Sequence, residues 1–216
     1  MKDIKLIIFD LDGTLVDAYP AIISSFNYTL KKLGFPPRDA LTIRRAVGWG
    51  DQNLLKPFMA KKDLLKALIV YRRHHKTALL RSSRIFPFVK ALLAKLKAKG
   101  YKLAVASNRP TKFSLILIRH LGLAKYFSFC LCADKVKHGK PHPDILKAIM
   151  RKFKVEPKDT IYVGDMTIDA LAGRRAKVKT IIVTTGSSTR QEIIKVRPFR
   201  IIRRIADLPG LLRVLS

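Results

Sequence analysis

The sequence predicts an α/β fold, a doubly wound parallel sheet into which a small α-helical cap is inserted. From residue 87 onward, short apolar segments alternate with segments of helical apolar spacing, as in strand–helix–strand crossover units. By contrast, residues 17–83 show helical patterns and no convincing strand. Because one apolar strand precedes this helical block, the simplest account is a cap inserted after the first strand of the sheet.

Each element is predicted from a local signal. Residues 4–9 (IKLIIF) are short, apolar and rich in Ile, which is typical of a buried strand. Residues 20–33 have helical apolar spacing, and residues 38–80 continue as helix with interruptions at the GWG turn of residues 48–50 and at Pro57. The alternating part is predicted as helices over 87–99, 111–121, 143–153, 168–176 and 189–195 and from 206, with strands at 102–106, 127–132, 160–163, 180–184 and 200–202.

The division into units follows from this order. We predict a sheet-containing core of residues 1–16 and 84–216 and a cap of residues 17–83. A chain of 216 residues, 48% of them apolar, is able to bury a real core. No apolar run approaches the roughly 20 residues that span a bilayer, and the stretch at 4–9 is too short for a signal-peptide core. We therefore expect a cytoplasmic protein without a membrane partner, either a monomer or a homodimer.

The charge balance is abnormal. Lys and Arg total 44 and Asp and Glu only 15, so the formal net charge is +29. Most of this positive charge must be unpaired, and such a surface attracts polyanions and steers small anions. The basic residues are spread along the chain, and the sequence has no nucleic-acid-binding motif of known docking geometry. Nucleic acid is therefore a possible partner on charge alone, and a solvated surface without a dedicated partner is the alternative.

Four polar segments fall at the ends of predicted strands, where ligands bind in sheets of this kind. They are Asp10-Leu11-Asp12-Gly13-Thr14, Ser107-Asn108, Lys140 in its loop, and Gly164-Asp165 with Asp169. The motifs DLDGTLVD at 10–17, SN at 107–108, GKPHPD at 139–144 and VGDMTID at 163–169 resemble, in this order, those of the haloacid dehalogenase-like hydrolase superfamily. The resemblance is to the branch with a helical cap, and within it to phosphoglycolate phosphatase-like enzymes. It implies a Rossmann-like core and phosphatase activity.

The residues also suit this chemistry by their charge. A phosphate ester is an anion, and its predicted attacker, Asp10, is a second anion, so their approach requires the positive charge of a divalent cation and a Lys. Mg²⁺ prefers oxygen ligands, and Asp10 and Asp165 can each offer a carboxylate oxygen. The resemblance further implies that the backbone carbonyl of Asp12 is a metal ligand. Attack by Asp10 forms an aspartyl-phosphate and splits the reaction into two easier steps.

Further roles follow for the neighbouring polar groups. Asp12 is placed to protonate the leaving oxygen and then to take a proton from the attacking water. The first role requires a protonated Asp12, which a neighbouring carboxylate favours. Lys140 is expected to neutralise charge on Asp10 and on the phosphate, and Asp169 to bond a metal-bound water or to orient Lys140. The residues expected to contact the phosphate through hydroxyls and backbone amides are Gly13, Thr14, Ser107 and Asn108.

The cap segment RRAVGWG (residues 44–50) looks like the substrate loop of phosphoglycolate phosphatases. Its Arg45 is a candidate for gripping a second anionic group of the substrate, and the alternative is that Arg45 belongs to the general excess of charge. Two positions depart from the family pattern. Met166 stands where a small hydroxyl residue is common, and Lys177 stands near the place where a Gly commonly ends the helix. A non-Gly residue there is expected to carry a modest left-handed strain or to need another helix ending.

The remaining polar residues give weaker signals. Asp17 matches the family pattern, but a cap at the start of helix 20–33 is the favoured role. The five His residues show no metal-ligand spacing, and we interpret them as surface or loop residues.

The sequence thus predicts a Mg²⁺-dependent phosphatase of small-molecule phosphate monoesters that works through an aspartyl-phosphate on Asp10, with a phosphoglycolate-like substrate. One alternative is a sugar-phosphate mutase of the same superfamily, which would return the phosphate to a sugar. Another is a basic nucleic-acid-binding protein whose phosphatase activity is residual or aimed at polynucleotide ends, supported by the charge alone. Haloacid dehalogenation is disfavoured, because those relatives do not rely on a second acid like Asp12.

Overall fold

The computed structural model describes residues 4–215, which contain a parallel sheet covered by helices. The strands are β1 (Leu6–Phe9), β2 (Val16–Asp17), β3 (Arg84–Ile85), β4 (Lys102–Ser107), β5 (Phe129–Cys132), β6 (Thr160–Gly164), β7 (Lys179–Val183) and β8 (Arg200–Ile202). The main sheet has the order β5-β4-β1-β6-β7-β8, and its neighbouring strands are all parallel. The predicted doubly wound α/β fold is therefore confirmed.

Strand β1 lies in the middle of the sheet and is buried on both faces. Its four residues have no exposed surface. Alternate side chains of a strand point to opposite faces, so Ile7 and Phe9 pack into one hydrophobic core cluster while Leu6 and Ile8 pack into another. A strand covered on both faces requires a continuous apolar run of this kind.

The helices fall into two groups. They are α1 (Tyr19–Lys32), α2 (Ala40–Ala46), α3 (Asp51–Leu55), α4 (Leu64–Ser82), α5 (Val89–Ala98), α6 (Thr111–His120), α7 (Asp144–Phe153), α8 (Thr167–Arg175), α9 (Arg190–Lys195) and α10 (Leu208–Leu215). Helices α1–α4 lie in the chain between β2 and β3, which pair antiparallel, Val16 with Ile85 and Asp17 with Arg84. The two connections to the inserted helices therefore run side by side.

We propose that helices α1–α4 form the cap predicted at 17–83 and that the other elements form the core predicted at 1–16 and 84–216. Residues 1–3 and 216 of that core lie outside the described residues. The N-cap residue of α1 is Ala18, and this helix start has no side-chain capping hydrogen bond. Asp17, the predicted cap, lies one residue earlier and accepts a hydrogen bond from the N–H of Tyr19 (3.2 Å).

Most predicted elements begin and end within two residues of the observed ones. The helical block at 38–80 is interrupted as predicted, and short 3-10 turns at Lys56–Phe58 and Lys61–Asp63 separate α3 from α4. Strands β2 and β3 are not predicted, because two-residue strands carry no hydrophobic periodicity. In the described part of the chain, no helix is long and apolar enough to cross a membrane.

Lys177 follows α8 with a left-handed φ of 59°, as the sequence predicts for a non-Gly residue at this helix end. The left-handed region is costly for a side chain, whereas Gly adopts it freely. Lys177→Gly is therefore expected to raise the free energy of unfolding by about 1 kcal/mol, which corresponds to a rise in Tm of about 2–4 °C. Thermal denaturation measures this. Lys177→Ala keeps the strain and removes the charge, so an equal gain in that variant would contradict the explanation.

Candidate active site

The candidate site lies at the carboxyl ends of β4, β1 and β6, which are neighbours in the sheet. Asp10 follows β1 directly, Ser107 is the last residue of β4, and Asp165 follows β6. Lys140 comes from the loop before α7. Each of these four residues has less than a tenth of its surface exposed. Polar groups from four separate segments of the chain therefore meet in a buried place at one edge of the sheet.

Lys140 is the centre of a buried charge network. Its ammonium group donates to Asp10 Oδ1 (2.6 Å), Asp169 Oδ1 (2.8 Å), the hydroxyl of Tyr162 (3.0 Å) and the carbonyl of Ala106 (3.2 Å). Burial alone would lower the pKa of Lys140, but the carboxylates of Asp10 and Asp169 outweigh burial and raise that pKa. Lys140 is therefore a fixed positive charge in contact with Asp10.

Burial raises the pKa of the Asp10 carboxyl to about 6, and the ion pair with Lys140 opposes this rise. The negative charges of Asp169 and Asp12 add to the effect of burial. The ionised form of Asp10 would therefore gain from a further cation beside it.

Asp165 offers a place for such a cation. Burial, followed by the charge of Asp10, raises the pKa of Asp165 well above its usual value. Thr14 donates to Asp165 Oδ1 (2.8 Å), whereas Oδ2 is buried and has no hydrogen-bond partner among the described residues. A Cβ added at Gly13 or Gly186 would lie 2.2 Å or 2.0 Å from this Oδ2. The two glycines thus leave the space that the carboxylate occupies.

A metal ion fits this group of carboxylates. Oxygens of Asp10, Asp165 and Asp169 lie within 4.8 Å of one another. Three carboxylates this close repel one another, and Lys140 supplies only one positive charge. A donor set made of oxygens is the kind that Mg²⁺ prefers, so the residues present fit the predicted cofactor.

Both oxygens of Asp169 are engaged by the protein. Oδ1 accepts from Lys140 and from the hydroxyl of Tyr162 (2.6 Å), and Oδ2 accepts from the N–H groups of Met166 (3.0 Å) and Asp165 (3.2 Å). Of the two roles expected for Asp169, these contacts favour the orientation of Lys140.

Asp12 forms an ion pair that the sequence does not predict. Arg109 Nε–H donates to Asp12 Oδ2 (2.8 Å), and Arg109 Nη2 lies 2.7 Å from Asp12 Oδ1. The sequence predicts a neighbouring carboxylate beside Asp12. In the structure the guanidinium of Arg109 also lies against Asp12, and 6% of the Arg109 side chain is exposed. The metal ligand expected from Asp12 is its backbone carbonyl, which this contact does not involve.

His75 of α4 holds Arg109 from the other side. Arg109 Nη1 donates to His75 Nε2 (2.7 Å). Because the hydroxyl of Ser25 donates to the carbonyl of Ala21 (2.8 Å), it accepts from His75 Nδ1 (3.0 Å). His75 is therefore a neutral imidazole with its proton on Nδ1, and burial, then the charge of Arg109, lowers its pKa well below the usual value. The interpretation of the His residues as surface or loop residues is wrong for His75, which is 3% exposed.

Asn108 joins three segments of the chain at the site. Its Nδ2 donates to the carbonyls of Gly48 and Lys140 (both 2.8 Å), and its Oδ1 accepts from the N–H of Lys140 (2.8 Å). Ser107 Oγ accepts from the N–H of Arg109 (3.1 Å). The side chain of Asn108 therefore holds the Lys140 loop, which leaves only its backbone amide for the phosphate contact predicted from the sequence.

Thr14 also differs from its expected role. Its hydroxyl, expected to contact the phosphate, is bonded to Asp165. Met166, the departure from the family pattern, lies against the GWG turn, where a Cβ added at Gly48 would be 2.6 Å from its Sδ.

A cavity separates this edge of the sheet from helices α1–α4. Polar groups of the core line one side of it, namely Asp10, Asp12, Ser107, Asn108, Arg109, Lys140 and Asp169. The inserted helices and their loops line the other side with apolar groups, among them Ile22, Val47 and Leu54, and with the polar side chains of Asp51, Tyr71 and His75. Among the described lining residues, the permanently charged cations are Lys140 and Arg109.

Arg45 lies outside this cavity lining. Its guanidinium forms a forked ion pair with Glu192 and also donates to the carbonyl of Ser187 (2.6 Å). The pKa of Glu192 is lowered to about 2 by Arg45. Arg44 similarly donates to the carbonyl of Thr185 (2.9 Å). The geometry therefore gives no support to the expected grip of Arg45 on the substrate, because both arginines instead tie the inserted helices to the core.

Tyr162 is a buried contact of the site that the sequence does not single out. Its hydroxyl donates to Asp169 and accepts from Lys140. Tyr162→Phe leaves both groups one partner short, so we expect a loss of about 1–3 kcal/mol in the free energy of unfolding and a drop in kcat of about 10-fold. Denaturant unfolding and steady-state kinetics measure the two effects. Tyr101→Phe, away from the site, is the matched control. Wild-type activity in Tyr162→Phe would contradict the positioning role.

The chain belongs to the haloacid dehalogenase-like hydrolase family, whose model matches residues 7–183. Probable phosphatase IndB of Dickeya dadantii is 33% identical over 211 residues, which cover 95% of this chain and 92% of that protein. Phosphoglycolate phosphatase of Yersinia pseudotuberculosis is 30% identical over 214 residues, with coverage of 96% and 92%. The crystal structure of a predicted phosphoglycolate phosphatase from Haemophilus somnus has a TM-score of 0.91 at 29% identity and 98% coverage of both chains. Within its family, the chain is thus a phosphatase similar to phosphoglycolate phosphatases.

Proposed function

We propose that this phosphatase hydrolyses small phosphate monoesters with Mg²⁺ and through an aspartyl-phosphate on Asp10. The observation that carries the proposal is the contact of Asp10 with Lys140 (2.6 Å) beside Asp165, whose buried Oδ2 has no hydrogen-bond partner in the described chain. Attack on a phosphate anion requires a carboxylate nucleophile, a fixed cation and a binding site for a second cation.

Asp10 and Asp165 would hold the metal ion, together with the backbone carbonyl of Asp12 that the family resemblance implies. When bound, Mg²⁺ supplies positive charge that offsets the repulsion between Asp10 and the phosphate. Thr14 holds Asp165 through Oδ1, which keeps Oδ2 free for this purpose.

The chain's own residues perform the two chemical steps. A carboxylate oxygen of Asp10 bonds to phosphorus as the bond to the leaving oxygen breaks, and Asp12 gives that oxygen its proton. Asp12 then takes a proton from the water that hydrolyses the aspartyl-phosphate. Throughout, Lys140 keeps its positive charge beside Asp10, since Asp169 also accepts from its ammonium group.

Phosphoglycolate, or an ester of similar size, is the proposed substrate. Relatives that bear the name phosphoglycolate phosphatase match nearly the whole chain. In addition, Ile22, Val47 and Leu54 make part of the cavity lining apolar. These side chains offer no hydrogen-bond partners to the hydroxyls of a sugar ring, and unpaired polar groups are costly to bury.

A panel of phosphate esters tests the proposal. It contains phosphoglycolate, sugar phosphates, nucleotides, pyrophosphate and an oligonucleotide with a terminal phosphate, each with and without Mg²⁺. We expect Mg²⁺-dependent release of phosphate from a small ester, and no release from any ester by the folded protein would contradict the proposal. Preference for the oligonucleotide would favour the polynucleotide-end alternative, and isomerisation of a sugar phosphate without phosphate release would favour the mutase.

A further inference from the structure

Arg109 is the lining cation that is not in contact with the proposed nucleophile. The other lining cation among the described residues, Lys140, already has four acceptors for its three N–H donors. It has no N–H left for a distant part of the substrate, so a second anionic group must find another donor.

Arg109 has such donors. A guanidinium carries five N–H groups. Nε–H donates to Asp12 Oδ2 and one N–H of Nη1 donates to His75 Nε2, whereas Nη2 is only in ion-pair contact with Asp12 Oδ1 at 2.7 Å. Within the described chain, at least one N–H on each of Nη1 and Nη2 is without a hydrogen-bond partner. Two such groups on one planar cation suit a carboxylate, which accepts two hydrogen bonds.

The position of Arg109 limits the shape of the substrate. Asp12, its ion-pair partner, is the residue proposed to exchange a proton with the ester oxygen. An anionic group that contacts Arg109 must therefore be joined to the ester oxygen by a short spacer. In phosphoglycolate this spacer is a single methylene group. A phosphate ester with a distant second anion would have to place that anion among the apolar lining residues, where its burial is unfavourable.

We propose that Arg109 determines specificity by binding a carboxylate of the substrate one carbon away from the ester oxygen, and that His75 is the positioning residue that holds Arg109 there. This inference rests on the proposed phosphatase function. It assigns the second-anion role, which the sequence suggests for Arg45, to a residue of the core.

His75 suits the positioning role by its charge and its packing. As a neutral acceptor, it holds the guanidinium without adding a negative charge that would compete with the substrate. Its ring is stacked on Tyr71 (centroids 4.8 Å apart) and meets Phe113 edge-on (5.6 Å), so it has little freedom to turn. Because His75 lies on α4, the inserted helices contribute to the site through Arg109.

The test compares kcat/KM for phosphoglycolate with kcat/KM for its carboxamide analogue, which has the same shape and no second charge. We expect wild type to prefer the acid by about 100-fold, which corresponds to about 2.8 kcal/mol at 1.4 kcal/mol per tenfold, because hydrogen bonds between two charged groups are stronger than those to a neutral amide. In Arg109→Gln the preference should fall to within about threefold of unity, and in Arg109→Lys, which keeps the charge without the fork, to about tenfold. Arg119→Gln, an exposed residue of α6, makes the same change in net charge and should keep the wild-type preference.

His75 is tested by a pair of variants. His75→Phe keeps a ring and removes both nitrogens, so the KM for phosphoglycolate should rise by about 10-fold and the preference for the acid over the carboxamide should fall toward unity. His75→Gln keeps an acceptor and should recover part of this loss. An equal effect of His75→Phe on both esters would indicate a structural role only and would overturn the positioning claim.

An acid preference that persists in the Arg109 variants overturns the assignment of Arg109, and so does a wild type that hydrolyses both esters equally well. If Arg109→Gln does not fold, the preference for phosphoglycolate over the carboxamide is compared between wild type and Arg109→Lys instead. In these cases, Mg²⁺-dependent release of phosphate from the carboxamide shows that the proposed phosphatase function stands without the inference. Release from neither ester contradicts both.

Discussion

Asp10→Asn is expected to lower kcat by about 10⁴-fold or more, because an amide cannot form the aspartyl-phosphate and loss of a covalent nucleophile has effects of this size. The substitution changes little else in the site. Asn has nearly the same shape as Asp, and its oxygen can still accept from Lys140, which lies 2.6 Å from Asp10 Oδ1. Steady-state release of phosphate with saturating Mg²⁺ measures the effect.

The folded state of Asp10→Asn is examined by measuring its free energy of unfolding as a function of pH. Burial raises the pKa of Asp10 from 3.8 to about 6, so between these values the metal-free folded state binds more protons than the unfolded state. The free energy of unfolding of wild type therefore falls as the pH rises through this range, and the fall should be smaller in Asp10→Asn. Asp63→Asn, at the start of α4, is the matched control and should retain full activity. Substantial Mg²⁺-dependent turnover by Asp10→Asn would remove Asp10 as the nucleophile.

Lys140→Met is expected to cause the second-largest loss. It removes a buried cation from two carboxylates, Asp10 and Asp169, and an uncompensated buried charge costs about 3–5 kcal/mol of stability. Removal of the positive charge beside the reacting phosphate should also lower kcat by about 10²–10³-fold. Denaturant unfolding and kinetics, the latter at a temperature where the variant is folded, measure these effects.

Two controls separate stability from catalysis in this experiment. Lys147→Met, an exposed position of α7, should change neither quantity. Combining Lys140→Met with Asp169→Asn removes one of the unpaired carboxylates, so it should restore part of the stability but none of the activity. Recovery of activity together with stability would show that Lys140 acts only on the fold.

Local sequence signals predicted the fold and the arrangement of the acids. Residues 4–9 form a buried strand because an apolar run of that length suits a strand covered on both faces. Because β1 and β6 are parallel, Asp10 and Asp165, which follow these two strands, lie at the same edge of the sheet. The role of Lys140 was predicted from the order of the four motifs, and in the structure the ammonium group of Lys140 contacts Asp10. These inferences needed no knowledge of how the helices between β2 and β3 pack.

The contacts of Arg109, His75 and Arg45 were not predicted, because they depend on how the helices between β2 and β3 pack against the core. Arg109 directly follows Ser107-Asn108, and this position could have indicated a role in the site. Because the chain has 44 Lys and Arg residues, one more arginine did not stand out. His75 reaches Arg109 only because α4 packs against the core. The direction of Arg45 depends on the same docking, which turns its side chain toward Glu192. Contacts between units depend on their relative orientation, and no periodicity within either segment encodes it.

The central claim is that phosphate passes through Asp10, and the most direct test is to trap the phosphorylated enzyme. Wild-type protein is mixed with phosphoglycolate and Mg²⁺, quenched in acid during turnover, and digested for mass spectrometry. The account predicts one phosphoryl group on the peptide that contains Asp10, absent without Mg²⁺ and absent in Asp10→Asn. A phosphoryl group on any other residue, or a burst of glycolate with the Asp10 peptide unmodified, would contradict it.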